Sequence, residues 1–203
     1  MDELLKSAEK IRTGGEVLGQ RANELLELAV QELKGTKYIK EMASLLRVSI
    51  AYGADHKIIS TILKNRSAVE SIIQVKQKHF IHHEYFRNRG RTVSVSILEY
   101  AIYKKASPWI IEQLLTVGGR DLISLSSRSL IQGAIFSYNE EDTISIINLL
   151  IKYGGRELVF VASSWRTPTR RSDKRDTPLH IAYELNSLAC VQSLLDIGGK
   201  ELT

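Results

Sequence analysis

A single cysteine, Cys190, stands among the 203 residues, so no disulfide can form within the chain and a reducing compartment fits best. The sequon Asn65-Arg66-Ser67 then reads as a chance match. The expected location is cytoplasmic, with the nucleus as the alternative. No run approaches the ~18 uninterrupted apolar residues of a spanning helix, so no membrane partner is expected. The opening "MDELLKSAEKIRTGG" lacks the charged-then-apolar order of a secretory signal. Phosphate-cradling loops are missing as well: "GGEVLG" (14–19) has neither the dinucleotide nor the P-loop spacing. There is no Gly-x-Ser-x-Gly elbow. The expectation is a non-enzymatic protein with no catalytic residue, no resident metal and no cofactor.

What is present is repetition, the first thing to seek in a chain of this length. Three segments end alike: "IIEQLLTVGGRDLISL" (110–125), "IINLLIKYGGRELVFV" (146–161) and "CVQSLLDIGGKELT" (190–203). Each has apolar residues at spacings of three and four, the face of a short helix, then glycines suited to a left-handed C-cap. Ahead of each lies a shorter apolar segment, "SILEYAIYKK", "SLIQGAIFSY" and "TPLHIAYELN", sharing Ala101, Ala134 and Ala182. Those alanines are 33 and then 48 residues apart. A weaker copy lies 52 residues upstream, where "LRVSIAYGADHKII" aligns with "LEYAIYKKASPWII". The expected organisation is four helix-pair units, about 46–69, 95–125, 128–161 and 176–203, after N-terminal helices at 1–45. Those helices cap the stack, or, in a competing register, "NELLELAV" and "KEMASLLRVSIAYGAD" form a unit of their own with "YGAD" as its repeat turn. Both registers fit the residues.

The last unit carries a more specific pattern. Thr177, Pro178, Leu179, His180 and Ala182 open it, and Leu194, Leu195 and Gly198 close it. Thr177 suits an N-cap, and Pro178 suits the first helical position, where its missing N–H costs nothing. Ala182 is small where helices approach. This unit resembles the ankyrin repeat, with its Thr-Pro-Leu-His-x-Ala opening and Leu-Leu before a terminal glycine. The resemblance is specific for 176–199 and looser upstream, where the openings read "VSILEYA" and "RSLIQGA". It implies an all-α, ankyrin-like solenoid of stacked helix pairs with extra N-terminal helices. It also implies a structural His180 that hydrogen-bonds locally, and partner binding through the concave face and projecting turns.

The charge is concentrated. The whole chain is net +5, yet residues 76–91 alone are net +4 and residues 166–176 net +3, leaving the remainder net negative. Both basic segments fall in insertions between units, at 76–91 and 162–176. They leave the stack at equivalent points, which predicts one shared edge. The first offers Lys76, Lys78, Phe80, Tyr85, Phe86, Arg87, Arg89 and Arg91 as partner-binding residues. The second offers Trp165, Arg166, Arg170, Arg171, Lys174 and Arg175. Cations beside aromatic rings suit an acidic partner. The favoured function is a protein–protein interaction module binding an acidic protein through these segments. The alternative is a nucleic-acid-binding accessory protein using the same edge. "RTPTRRSDKR" also fits a nuclear-import signal or, through Thr167, Thr169 or Ser172, phosphorylation. His79, His82, His83 and Glu84 form the one cluster with a flavour of zinc, but it lacks a second ligand pair and reads as a solvated or partner-facing loop. In "YNEEDT" (138–143), Asp142 or Thr143 is the expected cap of the following helix. The final "GGKELT" begins a turn that elsewhere leads into another unit, which predicts a longer repeat array or a face covered by another chain.

Overall fold

The computed structural model describes residues 23–24, 26–28, 30–31, 39–64, 77–81, 91–126, 129–162 and 176–199. Their regular structure is helical apart from one two-stranded hairpin, with a single bridge residue at Asp176. The chain divides into two compact units, residues 1–75 and 76–203.

In the first unit, α1 (Ile39–Ala51) and α2 (His56–Lys64) form an antiparallel-type pair across a tight turn. Leu45, Leu46, Ile58, Ile59 and Ile62 are fully buried, the result of apolar residues placed three and four apart on both helices. Helical residues upstream add Leu26 and Val30 to this core. Asn23 Oδ1 accepts from the Asp55 amide at 3.4 Å, and Glu27 pairs with Lys57 at 3.0 Å. The latter pair is exposed and contributes little beyond solvation.

The second unit begins with β1 (Gln77–Ile81) paired antiparallel to β2 (Arg91–Val95), in a register that sets Gln77 opposite Val95 and Ile81 opposite Arg91. Three helix pairs follow: α3 (Ile97–Tyr103) with α4 (Pro108–Ser124), α5 (Leu130–Ser137) with α6 (Glu140–Gly154), and α7 (Pro178–Glu184) with α8 (Leu188–Gly198). The first helices touch in series, α3 to α5 to α7, and so do the second helices, α4 to α6 to α8. A 3₁₀ turn, Arg156–Phe160, packs on α6 and α8.

One turn chemistry closes the first helix of three pairs. The N–H of Ala54, Ala106 and Ser187 reaches back five residues, to the carbonyls of Ser49, Ala101 and Ala182, at 2.8, 3.0 and 3.0 Å. The residues before them, Gly53, Lys105 and Asn186, lie at φ +62°, +55° and +55°. This is the Schellman closure, which satisfies carbonyls the helix leaves orphaned. "YGAD" (52–55) lies in the turn between α1 and α2. The middle pair departs. Tyr138 is extended (φ −113°, ψ 164°), and its hydroxyl donates to the Ala106 carbonyl at 2.7 Å, bridging to the neighbouring pair.

The paired glycines have distinct duties. Gly119, Gly155 and Gly199 lie at φ/ψ of 52°/−145°, 95°/161° and 63°/−153°. That is not the left-handed helical cap expected from the sequence but a region open essentially to glycine alone. Gly119 thereby breaks α4, turning residues 120–124 into the counterpart of the 3₁₀ turn. The first glycine of the middle turn serves packing, since a methyl on Gly154 would sit 2.6 Å from Leu158 Cδ1 and 2.9 Å from Ile123 Cδ1.

Candidate partner-binding edge

The N-terminal ends of the first helices are built alike. Ser96 caps α3, its Oγ accepting from the Glu99 amide at 3.1 Å, while the Glu99 carboxylate accepts from the Ser96 amide at 2.8 Å. Ser129 caps α5 by accepting from the Gln132 amide. Thr177 caps α7, with Pro178 following, and its hydroxyl lies 2.7 Å from His180 Nδ1. These are capping boxes, reciprocal at Ser96–Glu99 and Thr177–His180, and spaced like the alanines at 101, 134 and 182. The same motif recurs because each short helix must satisfy its orphan amides locally.

Neighbouring ends are stitched together. Gln132 Nε2 donates to the carbonyl of Asp176, the residue before the Thr177 cap. Ser96 Oγ lies 3.2 Å from Ser126 Oγ, close ahead of the Ser129 cap. The three N-termini therefore lie side by side. His180 ties its own helix start, while the link to the next pair comes from Gln132. Between the second helices and their turns, Thr116 Oγ1 meets Tyr153 Oη at 3.0 Å, and Arg120 pairs with Glu157 across successive glycine turns. Glu140 Oε1 accepts from the Ser187 hydroxyl at 2.8 Å and the Ala189 amide at 3.1 Å, capping α8 from the neighbouring pair. Ser187 itself makes no side-chain cap.

Both basic segments lead into this row. β2 stops at Val95, one residue before the Ser96 cap, and the second insertion stops at Asp176, one before Thr177. Within the first insertion, Lys78 stands opposite Ser94, Phe80 opposite Thr92 and Arg91 opposite Ile81. The segment expected as a loop is thus in part a hairpin, and His79 lies on its first strand. Lys76, Tyr85, Phe86, Arg87, Arg89, Trp165, Arg166, Arg170, Arg171, Lys174 and Arg175 lie outside the described residues, as do His82, His83, Glu84, Thr167, Thr169 and Ser172. Among the described residues no group of three or more His, Cys, Asp or Glu side chains is placed to hold a metal, and no helix is long and apolar enough to cross a membrane.

The motif residues of the last pair take up packing positions. Ala182 and Leu194 are fully buried, Pro178 and Gly198 are buried, and the Leu195 carbonyl accepts from the Gly199 amide. The cap of α6 is Asn139, whose Oδ1 accepts from the Asp142 amide at 2.8 Å, so the expectation of Asp142 or Thr143 is corrected. Glu140, Glu141 and Asp142 fill the first turn, where the helix dipole favours acids. The connection from α5 to α6 is only residues 138–139, and α6 runs 15 residues against 11 for α8. Burial pushes the Tyr138 phenol well above its usual value, with the Asp142 carboxylate adding to the effect. Burial likewise raises the Cys190 thiol.

Two other surfaces stand out. A cleft of about 280 Å³ lies between the turns after Gly119 and Gly155, lined by Ile123, Leu130, Leu158 and Val161 with the hydroxyls of Ser124, Ser126 and Ser129. On the last pair, Tyr183 is 77% and Leu188 71% exposed. Tyr183 stands in the register of Ile102, which is buried beside Gly133 of the next pair. The signal that sequence reasoning missed is the Ser/Thr-x-x-Glu/Gln/His ladder, readable at Ser96, Ser129 and Thr177 by spacing alone. Comparison of the chain with protein-family models, with curated proteins and with solved structures finds no match to any of them.

Proposed function

We propose that this chain is a non-enzymatic protein-binding module, an ankyrin-like solenoid whose helix pairs hold two basic inter-repeat segments on one edge for an acidic protein partner. The observation that carries the reading is the row of aligned, capped helix ends at Ser96, Ser129 and Thr177, with a cation-rich segment entering next to two of them. A stack of this kind fixes the spacing of its entering segments, so the partner meets cations already positioned. The buried thiol of Cys190 suits a reducing cytosol or nucleus.

The test is affinity capture from native lysate with the wild-type chain and with Arg170 and Arg171 changed to Glu, each with and without nuclease. A defined protein set that survives nuclease and is lost on charge reversal is the expected result. Capture that collapses with nuclease assigns the edge to nucleic acid instead. Capture indifferent to the reversal removes the second insertion from the binding surface.

A further inference from the structure

We propose that the outer edge of strand β1 (Gln77–Ile81) is a docking site for an extended, acidic segment of a partner protein, which adds to the hairpin as a third strand. This rests on the acidic-partner reading above and specifies how the partner is held.

The hairpin is the one sheet among the described residues, and its order is β1–β2 with no third strand. β2 is anchored at its end: Val95 is 1% exposed and leads directly into the Ser96 capping box. Among the described residues β1 pairs with β2 alone. In an antiparallel pair alternate residues send their N–H and C=O away from the partner strand, so β1 offers a row of backbone donors and acceptors on its far side. A two-stranded ribbon is marginal in water, whereas a third strand makes it a sheet. Adding a strand therefore stabilises the hairpin and binds the partner in one event, the mode known as β-augmentation.

Charge chooses the occupant. The two strands contain Lys78 and Arg91 and no acidic residue, and the whole segment 76–91 is net +4. A lysine in mid-strand is a common device against edge-to-edge self-pairing, because a second copy would bring like charges together. The same cation favours an incoming strand with Asp or Glu at alternate positions. A second copy of this chain is thus disfavoured and an acidic extended segment is favoured. Recognition here reads backbone first and side chains second, so it tolerates varied partner sequences that share acidity and extended shape.

The full-length chain is titrated with two blocked peptides of equal charge, an alternating Glu–Val peptide and the same peptide N-methylated at every backbone amide. N-methylation removes every amide donor, so the second peptide keeps the charge and the side chains but cannot donate to a ladder. Affinity is measured by calorimetry, and amide hydrogen exchange is followed by NMR at Gln77–Ile81. The Glu–Val peptide is expected to bind at least about tenfold more tightly, since one net backbone hydrogen bond is worth about fivefold and an added strand makes two or more. It should slow exchange at alternate amides of β1, and Lys78→Glu should weaken it several-fold. Equal affinity of the two peptides, or protection that spares β1, overturns the edge site while leaving the acidic-partner reading intact. Failure of both peptides to bind, with retention of a single-stranded oligonucleotide, overturns the edge site and the acidic-partner reading together.

Discussion

Ser49 is the place where the chain departs from its own repeat. It stands 52 residues before Ala101, in the register of Ala101, Ala134 and Ala182, and all four side chains are 0% exposed. Three are methyl groups and one is a hydroxyl, and the Ser49 Oγ has no hydrogen-bond partner. A buried, unpaired hydroxyl costs about 1–3 kcal/mol in lost hydration. Alanine also has the better helix propensity, by about 0.5 kcal/mol. Ser49→Ala removes the oxygen and leaves a cavity smaller than a methyl group, so it should stabilise the first unit by about 1–2 kcal/mol. With a urea slope of about 1–3 kcal/mol per molar, the unfolding midpoint should rise by roughly 0.5–1 M. Both tryptophans, Trp109 and Trp165, lie in the second unit, so far-UV circular dichroism is the probe that reports the first. Ala101→Ser is the reciprocal change and should destabilise the second unit, visible through Trp109. A midpoint for Ser49→Ala that stays put or falls would show that the hydroxyl is satisfied, and the argument from internal register would fail.

Three further outcomes follow from the packing of the second unit. Gly154→Ala drives a methyl against Leu158 and Ile123 and should lower stability by about 1–3 kcal/mol; Gly133→Ala, whose nearest contact is 3.3 Å, should cost less in the same urea titration. Glu140→Ala should cost about 1 kcal/mol and speed hydrogen exchange at the Ala189 amide, whereas Glu140→Gln keeps an acceptor and most of the stability. Tyr138→Phe should cost about 1 kcal/mol at neutral pH through the lost bond to Ala106. Tyr138 also has a raised pKa in the folded state, so its contribution is complete below its ordinary value of 10.0 and is lost as pH rises beyond it. The wild type should therefore weaken between pH 9 and 11 more steeply than Tyr138→Phe, as read from unfolding midpoints across that range.

What could be read from the sequence was whatever local chemistry repeats. The apolar spacing gave the helix pairs, and Thr177-Pro178 announced a helix start because both residues act through the backbone of their own turn. The Gly-Gly doublets marked the turns but not their division of labour: that Gly154 makes room for Leu158 and Ile123 depends on neighbours far away in sequence. The N-terminal register stayed open because Gly53, Lys105 and Asn186 share a backbone conformation without sharing a residue type. The hairpin escaped because "QKHFI" and "RTVSV" alternate weakly and their pairing spans the residues between them. Asn139 was passed over in favour of the acids after it, although asparagine is as good an N-cap and lies directly before the first helical residue. Of the edge, the composition was legible and the alignment was not, since Gln132–Asp176 joins residues 44 apart.

The cap that opens each first helix has a consequence for how such a protein can change over time. Because Ser129 and Thr177 terminate their helices within a single turn, whatever precedes them has no say in where the helix begins. Residues 125–128 join the second pair to the third, and residues 161–176 make the equivalent join one pair later, a span about fourfold longer. The entropy of closing the longer connection exceeds that of the shorter by only about 1 kcal/mol. Insertions at this point are thermodynamically inexpensive and leave the frame untouched. The edge is thus the part of the molecule most open to grafting, where a foreign recognition sequence placed ahead of Ser129 should be carried without re-engineering the helices behind it.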